Sequence, residues 1–157
     1  MKRPAAASYL IREGSPTDPQ VRRLIAELDA FNTSLYPAGS NHFDPPEKLA
    51  AARAIFLVVE IDGRLVGCGA AKHCGGWAEI KRMFLMPDAR GAGLAMLMLD
   101  RLLDWARGEG LTLARLETGH ASQGALTLYR RAGFQEIPAF PPYKADPLSI
   151  FMERTLR

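Results

Sequence analysis

Arg90, Gly91 and Gly93 stand between a β-like run, Ile80 to Met86, and a stretch of helical periodicity, and together they have the chemistry of an anion site. Pro87 lacks a backbone donor and halts the run before them. Glycines at 91 and 93 let the main chain turn tightly and meet a ligand with no Cβ in the way. The first amides of the following helix have no intrahelical acceptors, and the positive end of the helix dipole favours negative charge. Arg90 adds a cation suited to a phosphate. Strand, loop and helix start thus read as a pyrophosphate cradle. A P-loop is excluded, because no Gly-Lys-Ser or Gly-Lys-Thr is present. A dinucleotide fingerprint fits poorly: Met96 occupies the third glycine's place, and Pro87 to Arg90 separate strand from glycines.

Arg90, Gly93 and Ala95 match the pattern Arg/Gln-x-x-Gly-x-Gly/Ala, and Ala125 to Phe134 match Ala-x-x-Leu-Tyr-x-x-x-Gly-Phe through Leu128, Tyr129 and Gly133. On these two segments the chain resembles the GNAT superfamily of N-acetyltransferases, over most of its length and least before Ile55. The resemblance implies acetyl-CoA as co-substrate and a mixed, mostly antiparallel α/β sheet with a central splayed parallel strand pair and helices on both faces. It implies that the backbone of Met83, Phe84 and Leu85 meets the pantetheine, and that Arg90, Gly91, Ala92, Gly93, Leu94, Ala95 and Met96 hold the pyrophosphate. Ser122 stands where the family often has an asparagine that contacts the pantetheine; serine is shorter. Tyr129 falls at the family's tyrosine, whose hydroxyl approaches the thioester sulfur and can protonate the departing thiolate.

Acetyl transfer to an amine needs a neutral nucleophile, yet an alkylamine has a pKa of roughly 10 and is mostly protonated near neutrality. Glu79, at the head of the strand leading to the glycine loop, and Glu117, at the end of the next strand, are the carboxylates that could accept the proton. Glu79 is the preferred base of the two, against the bland alternative that both are strand-end surface acids. Tyr36, Asn41, His42, Glu117 and Tyr143 are candidates for the acceptor pocket. The implied activity is transfer to a primary amine of a small molecule or amino-acid-like acceptor, by direct attack in a ternary complex. The alternatives are acetylation of a protein, at its N-terminus or a lysine, a CoA-binding regulatory domain without turnover, and a nucleotide-binding module.

These residues need elements to hold them. Tyr9 to Arg12 reads as a first strand, and Val21, Leu24, Ile25 and Leu28 are spaced for a helix from Pro19 to Phe31. Asn32 to Pro46 is rich in breakers and lacks a period, as a functional or mobile loop does, and Pro46 to Arg53 reads as a short helix. Ile55 to Ile61 and Leu65 to Ala71 form a hairpin around Asp62-Gly63, and Trp77 to Met86 is the next strand. Leu94, Met98, Leu102 and Trp105 share one face of a helix from Leu94 to Arg107, ended by Gly108 and Gly110. Leu111 to Thr118 then runs parallel to Trp77 to Met86, because a helix crosses between them. Gln123 to Arg131 is a short helix, and Phe134 to Ile137 pairs with Ser149 to Thr155 across a proline-rich excursion, Pro138 to Pro147. The last hairpin is exposed enough to suit a homodimer.

A chain of 157 residues suits a single domain spanning 1–157. The formal charge is +3 and the pI about 9.1, but no Lys/Arg block exists, so an anionic cofactor fits the mild excess and a nucleic-acid partner is not expected. Cys68 and Cys74 are the only cysteines, too few for a disulfide framework and without the companions of a metal site. No run reaches membrane-spanning length, and the N-terminus has no apolar signal core, so a cytoplasmic location is the expectation.

Overall fold

The computed structural model describes residues 8–35 and 45–157. Seven strands form one mixed sheet in the order β1-β2-β3-β4-β5-β7-β6. They are β1 (Tyr9–Glu13), β2 (Ala54–Ile61), β3 (Arg64–His73), β4 (Ala78–Leu85), β5 (Leu113–Gly119), β6 (Gln135–Ile137) and β7 (Ser149–Thr155). The α-helices among the described residues are α1 (Pro19–Leu35), α2 (Pro46–Ala51), α3 (Leu94–Gly108) and α4 (Gln123–Arg131). Every strand pair is antiparallel except β4 with β5. Asp62 and Gly63 take φ of 50° and 81°, the positive values that a tight hairpin turn between β2 and β3 demands. The parallel pair requires a crossover instead, and α3 supplies it.

Both faces of the sheet are covered, which is why β2 reads as an apolar run with Glu60 as its one acid. Its residues alternate: Phe56 and Val58 pack with Val21, Leu24 and Ile25 of α1, while Leu57 and Val59 pack with Met98, Leu99 and Leu102 of α3. Leu102 is fully buried, and truncating such a side chain to alanine costs roughly 2–5 kcal/mol.

Two helix ends differ by two residues or more from the sequence reading. The helix expected to end at Phe31 continues to Leu35, because the first breaker past it is Pro37, and helices end at or before the residue preceding a proline. The second helix stops at Ala51 rather than Arg53; Ala52, at ψ 159°, is already extended towards β2. In the last hairpin β7 lies inside the sheet, so only the three-residue β6 presents an outer edge there.

β4 carries the irregularity that opens the site. Its register with β3 runs Ala70 to Lys81 and then Cys68 to Phe84, so Gly69 alone faces Arg82 and Met83. Arg82 adopts φ 57°, a left-handed conformation unusual for a side-chain-bearing residue, at this bulge. The Arg82 guanidinium is paired with Asp29 of α1, and the Cys68 thiol donates to the Arg82 carbonyl at 3.2 Å. Burial pushes the Cys68 thiol up to about 12, so it stays a protonated donor. β4 pairs with β5 only from Ala78 to Ile80; past the bulge it follows β3 as far as Leu85, while β5 follows β7 to Gly119. The two parallel strands therefore diverge.

Candidate active site

A cleft of about 700 Å³ fills the space between the diverging strands, walled by α1, the start of α3 and α4. At one end stands the glycine loop. Gly91 and Gly93 take φ of 86° and 80°, and no atom lies within 4 Å of where a Cβ would stand at either. Gly93 precedes the first turn of α3, and the first amide of that turn with a helical acceptor is that of Leu97, donating to the Gly93 carbonyl at 3.2 Å. The amides of Leu94, Ala95 and Met96 come before it and have no intrahelical acceptor. Loop glycines with open space before them and unclaimed amides behind them fit a pyrophosphate. Arg90 flanks the loop with its Nε on the Leu85 carbonyl at 2.9 Å and its guanidinium 5.8 Å from the Phe84 ring centroid. Of the residues that the sequence assigned to CoA, all but Ala92 line the cleft.

The other end is acidic and more deeply buried. Glu79 is only 5% exposed, which removes the surface-acid alternative for it. Its Oε2 accepts from the Tyr143 hydroxyl and lies 3.4 Å from Lys81 Nζ, and Lys81 also donates to the Tyr143 oxygen at 3.1 Å. Glu117, half-buried on β5, accepts from Ser149 Oγ of β7 at 3.1 Å. Burial raises its carboxyl to about 7, the Glu79 charge adding to the effect while Ser149 and Lys81 oppose it.

Tyr129 of α4 is 6% exposed and reaches the same cleft. Burial, with the Glu117 charge second, raises its phenol above the ordinary range, so it is a proton donor at any neutral pH. Its placement explains the spacing to Gly133 and Phe134. Gly133, at φ 89°, turns the chain out of α4, and Phe134 folds back to donate its amide to the Tyr129 carbonyl at 3.0 Å with its ring edge-on to the tyrosine. Ser122 sits at the start of α4 and lines the cleft, without a side-chain cap to its own helix.

The structure brings Glu79, Glu117, Tyr129 and Tyr143 together, while Tyr36, Asn41 and His42 lie outside the described residues. His120 is a loop residue whose Nδ1 lies 3.2 Å from the Leu148 carbonyl. Sequence reasoning missed Lys81, although its place two residues after Glu79 puts both on one strand face. It also missed Ser149 and the bulge at Arg82, for which no local signal exists. Among the described residues there is no group of three or more metal-ligating side chains, and no helix is long and apolar enough to cross a membrane.

The model of the acetyltransferase (GNAT) family matches residues 22–134. The chain is 44% identical over 148 residues to the IAA acetyltransferase of Azospirillum brasilense, an alignment that covers 93% of this chain and 97% of that protein. It is 32% identical over 143 residues to YsnE of Bacillus subtilis (strain 168), an uncharacterized N-acetyltransferase, with 89% of this chain and 95% of that one covered. Among solved structures, one from Klebsiella pneumoniae assigned as an acyl-CoA N-acyltransferase superposes with a TM-score of 0.81 at 38% identity, covering 97% of this chain and 100% of the other. The fold is shared with the PaiA N-acetyltransferase of Thermoplasma acidophilum, solved in complex with coenzyme A, at a TM-score of 0.72, 19% identity and coverage of 94% and 98%.

Proposed function

The chain belongs to the GNAT family of acetyltransferases, and on that premise we propose that it transfers the acetyl group of acetyl-CoA to the primary amine of a small-molecule or amino-acid-like acceptor, by direct attack in a ternary complex. One observation carries this reading: a single cleft has an anion cradle at one end and two carboxylates with a buried tyrosine at the other. The cradle fits coenzyme A, which the Thermoplasma relative holds in the same fold. The amides at the start of α3, Gly91, Gly93 and Arg90 would hold its pyrophosphate, and the β4 backbone from Met83 to Leu85, turned from β5 by the bulge, would meet its pantetheine. The thioester supplies an activated acetyl group and a thiolate able to leave.

The protein's own groups handle the protons. Glu117 takes the proton of the acceptor's ammonium, in preference to Glu79: its carboxyl ionises near 7, while the Glu79 carboxylate is engaged by Tyr143 and Lys81. A base whose pKa lies close to the working pH combines a useful ionised fraction with a useful proton affinity. Tyr129 donates to the departing sulfur and stays protonated until that moment, since its phenol is raised rather than lowered.

The test is incubation of the purified protein with acetyl-CoA and a panel of amines, with a cell extract alongside, read by mass spectrometry. IAA is assayed beside the amines because of the Azospirillum relative's name. Acetylation of small amines supports this reading; acetylation confined to extract proteins replaces the acceptor, and none of either overturns the reading.

A further inference from the structure

Glu79, Lys81 and Tyr143 form a buried polar cluster to which the proton steps above give no direct part. Glu79 is the one charged residue in the buried set of the described residues, and the Lys81 side chain is only 10% exposed. A buried charge persists only when paired and hydrogen-bonded. Here the Glu79 Oε2 has both, from the Lys81 ammonium and the Tyr143 hydroxyl. Tyr143 comes from the excursion after β6, 64 residues away in sequence, and its ring is fixed by Phe140 at 5.2 Å and by Phe151 of β7 at 5.7 Å. Phe140 also packs on Phe151 and Trp77. The excursion is thereby pinned to the sheet.

The strand register places this cluster beside the proposed base. Glu79 pairs across the parallel ladder with Arg115, and Phe151 pairs with Glu117 across β5 and β7. Side chains at alternate positions share a face, so Glu79, Lys81, Arg115 and Glu117 lie on the side that Tyr143 covers. Arg115 is taken up by Glu153 at 2.8 Å and by the Trp77 ring. The charged and titratable groups facing Glu117 are Glu79 and Lys81 of β4, Asp146 of the excursion and Tyr129 of α4, with the hydroxyl of Ser149 from β7.

We propose that Tyr143 and Lys81 are positioning residues: they hold the Glu79 carboxylate in a fixed place, and Glu79 held there is the electrostatic partner of Glu117. The proposal rests on the assignment of Glu117 as proton acceptor. A fixed negative charge next to Glu117 delays its ionisation and also attracts the acceptor's ammonium. The Lys81 cation acts on Glu117 in the opposite sense. Two neighbouring carboxylates thus take different parts because their donors differ: Glu79 is held by the Lys81 ammonium and the Tyr143 hydroxyl, Glu117 by the neutral Ser149 hydroxyl.

The test is a carboxyl-detected NMR titration of Glu117 in the full chain, which needs neither acetyl donor nor acceptor and so succeeds or fails independently of the proposed reaction. Glu79→Gln moves the Glu117 midpoint to lower pH, Tyr143→Phe moves it the same way by less, and Lys81→Met moves it to higher pH. In acetyl transfer, Tyr143→Phe raises the acceptor KM roughly two- to tenfold, the worth of one hydrogen bond, with the KM for acetyl-CoA unchanged. A purely structural tyrosine would leave the midpoint in place. Unmoved midpoints in all three folded variants, or shifts of the same sign for Glu79→Gln and Lys81→Met, overturn the proposal.

Discussion

The Nε of Arg90 donates to the carbonyl oxygen of Leu85 at 2.9 Å, tying the cation of the glycine loop to the end of the diverging strand. The rest of the guanidinium remains at the exposed mouth of the cleft, near the Phe31 and Phe84 rings. Arg90 therefore orders two parts of the proposed CoA site at once. Arg90→Ala should weaken CoA binding by roughly ten- to a hundredfold, the worth of a hydrogen bond to a charged group, with the loss smaller at high salt. Calorimetry at two ionic strengths measures it, and an unchanged affinity would take Arg90 out of the cradle.

Gly67 of β3 tests the strand wall. A Cβ there would stand 2.8 Å from the Phe84 carbonyl oxygen and would also strike the Leu85 side chain, so the backbone of β4 must shift. Gly67→Ala should cost roughly 1–3 kcal/mol of stability and weaken CoA binding together. Thermal denaturation and calorimetry on one preparation check both; loss of stability with full CoA affinity would mean that the Phe84–Leu85 backbone does not meet the ligand.

Glu117 links function to stability. Its carboxyl is raised by burial from 4.5 to about 7, so the native chain holds a proton that the unfolded chain has already released. Stability must then fall as pH climbs from 4.5 through 7, by about 3 kcal/mol in all. Glu117→Gln has no charge to bury, and its Tm should exceed that of the natural protein at about pH 8, with the gap closing at about pH 4. A gap independent of pH would contradict the burial argument.

Tyr129→Phe removes the proposed donor and keeps the ring against Phe134. A thiolate with a pKa of roughly 8.5 can leave unprotonated, so the acid assists without being indispensable. Turnover should drop roughly ten- to a thousandfold with CoA affinity retained. Full turnover, with the chemical step shown to limit the rate, would remove the hydroxyl from the mechanism.

Much of the fold was legible because its signals are local. The turn at Asp62-Gly63, the periodicity of α3, the stop at Gly133 and the crossover that forces a parallel pair all lie within short windows. The glycine loop was legible for the same reason. The bulge at Arg82 was not, since an arginine carries no preference for a left-handed conformation and is held in it by Asp29, 53 residues away. The contact of Tyr143 with Glu79 spans 64 residues and likewise leaves no local trace. Preference for Glu79 as base followed its position at the strand head; what sets it apart from Glu117 is bonding that only the fold creates.

The pH dependence of acetyl transfer to a simple alkylamine, followed as release of the CoA thiol by the natural protein and by Glu117→Gln, tests the account most directly. With Glu117 as proton acceptor, the kcat/KM of the natural protein for total amine rises with pH and levels off above about 7. The Glu117→Gln variant has no such base and depends on amine already free in solution, so it should be slower near neutrality and keep climbing about tenfold per pH unit towards the amine's own pKa of roughly 10. A variant that matches the natural protein in rate and in profile would show that the proton of the acceptor goes elsewhere.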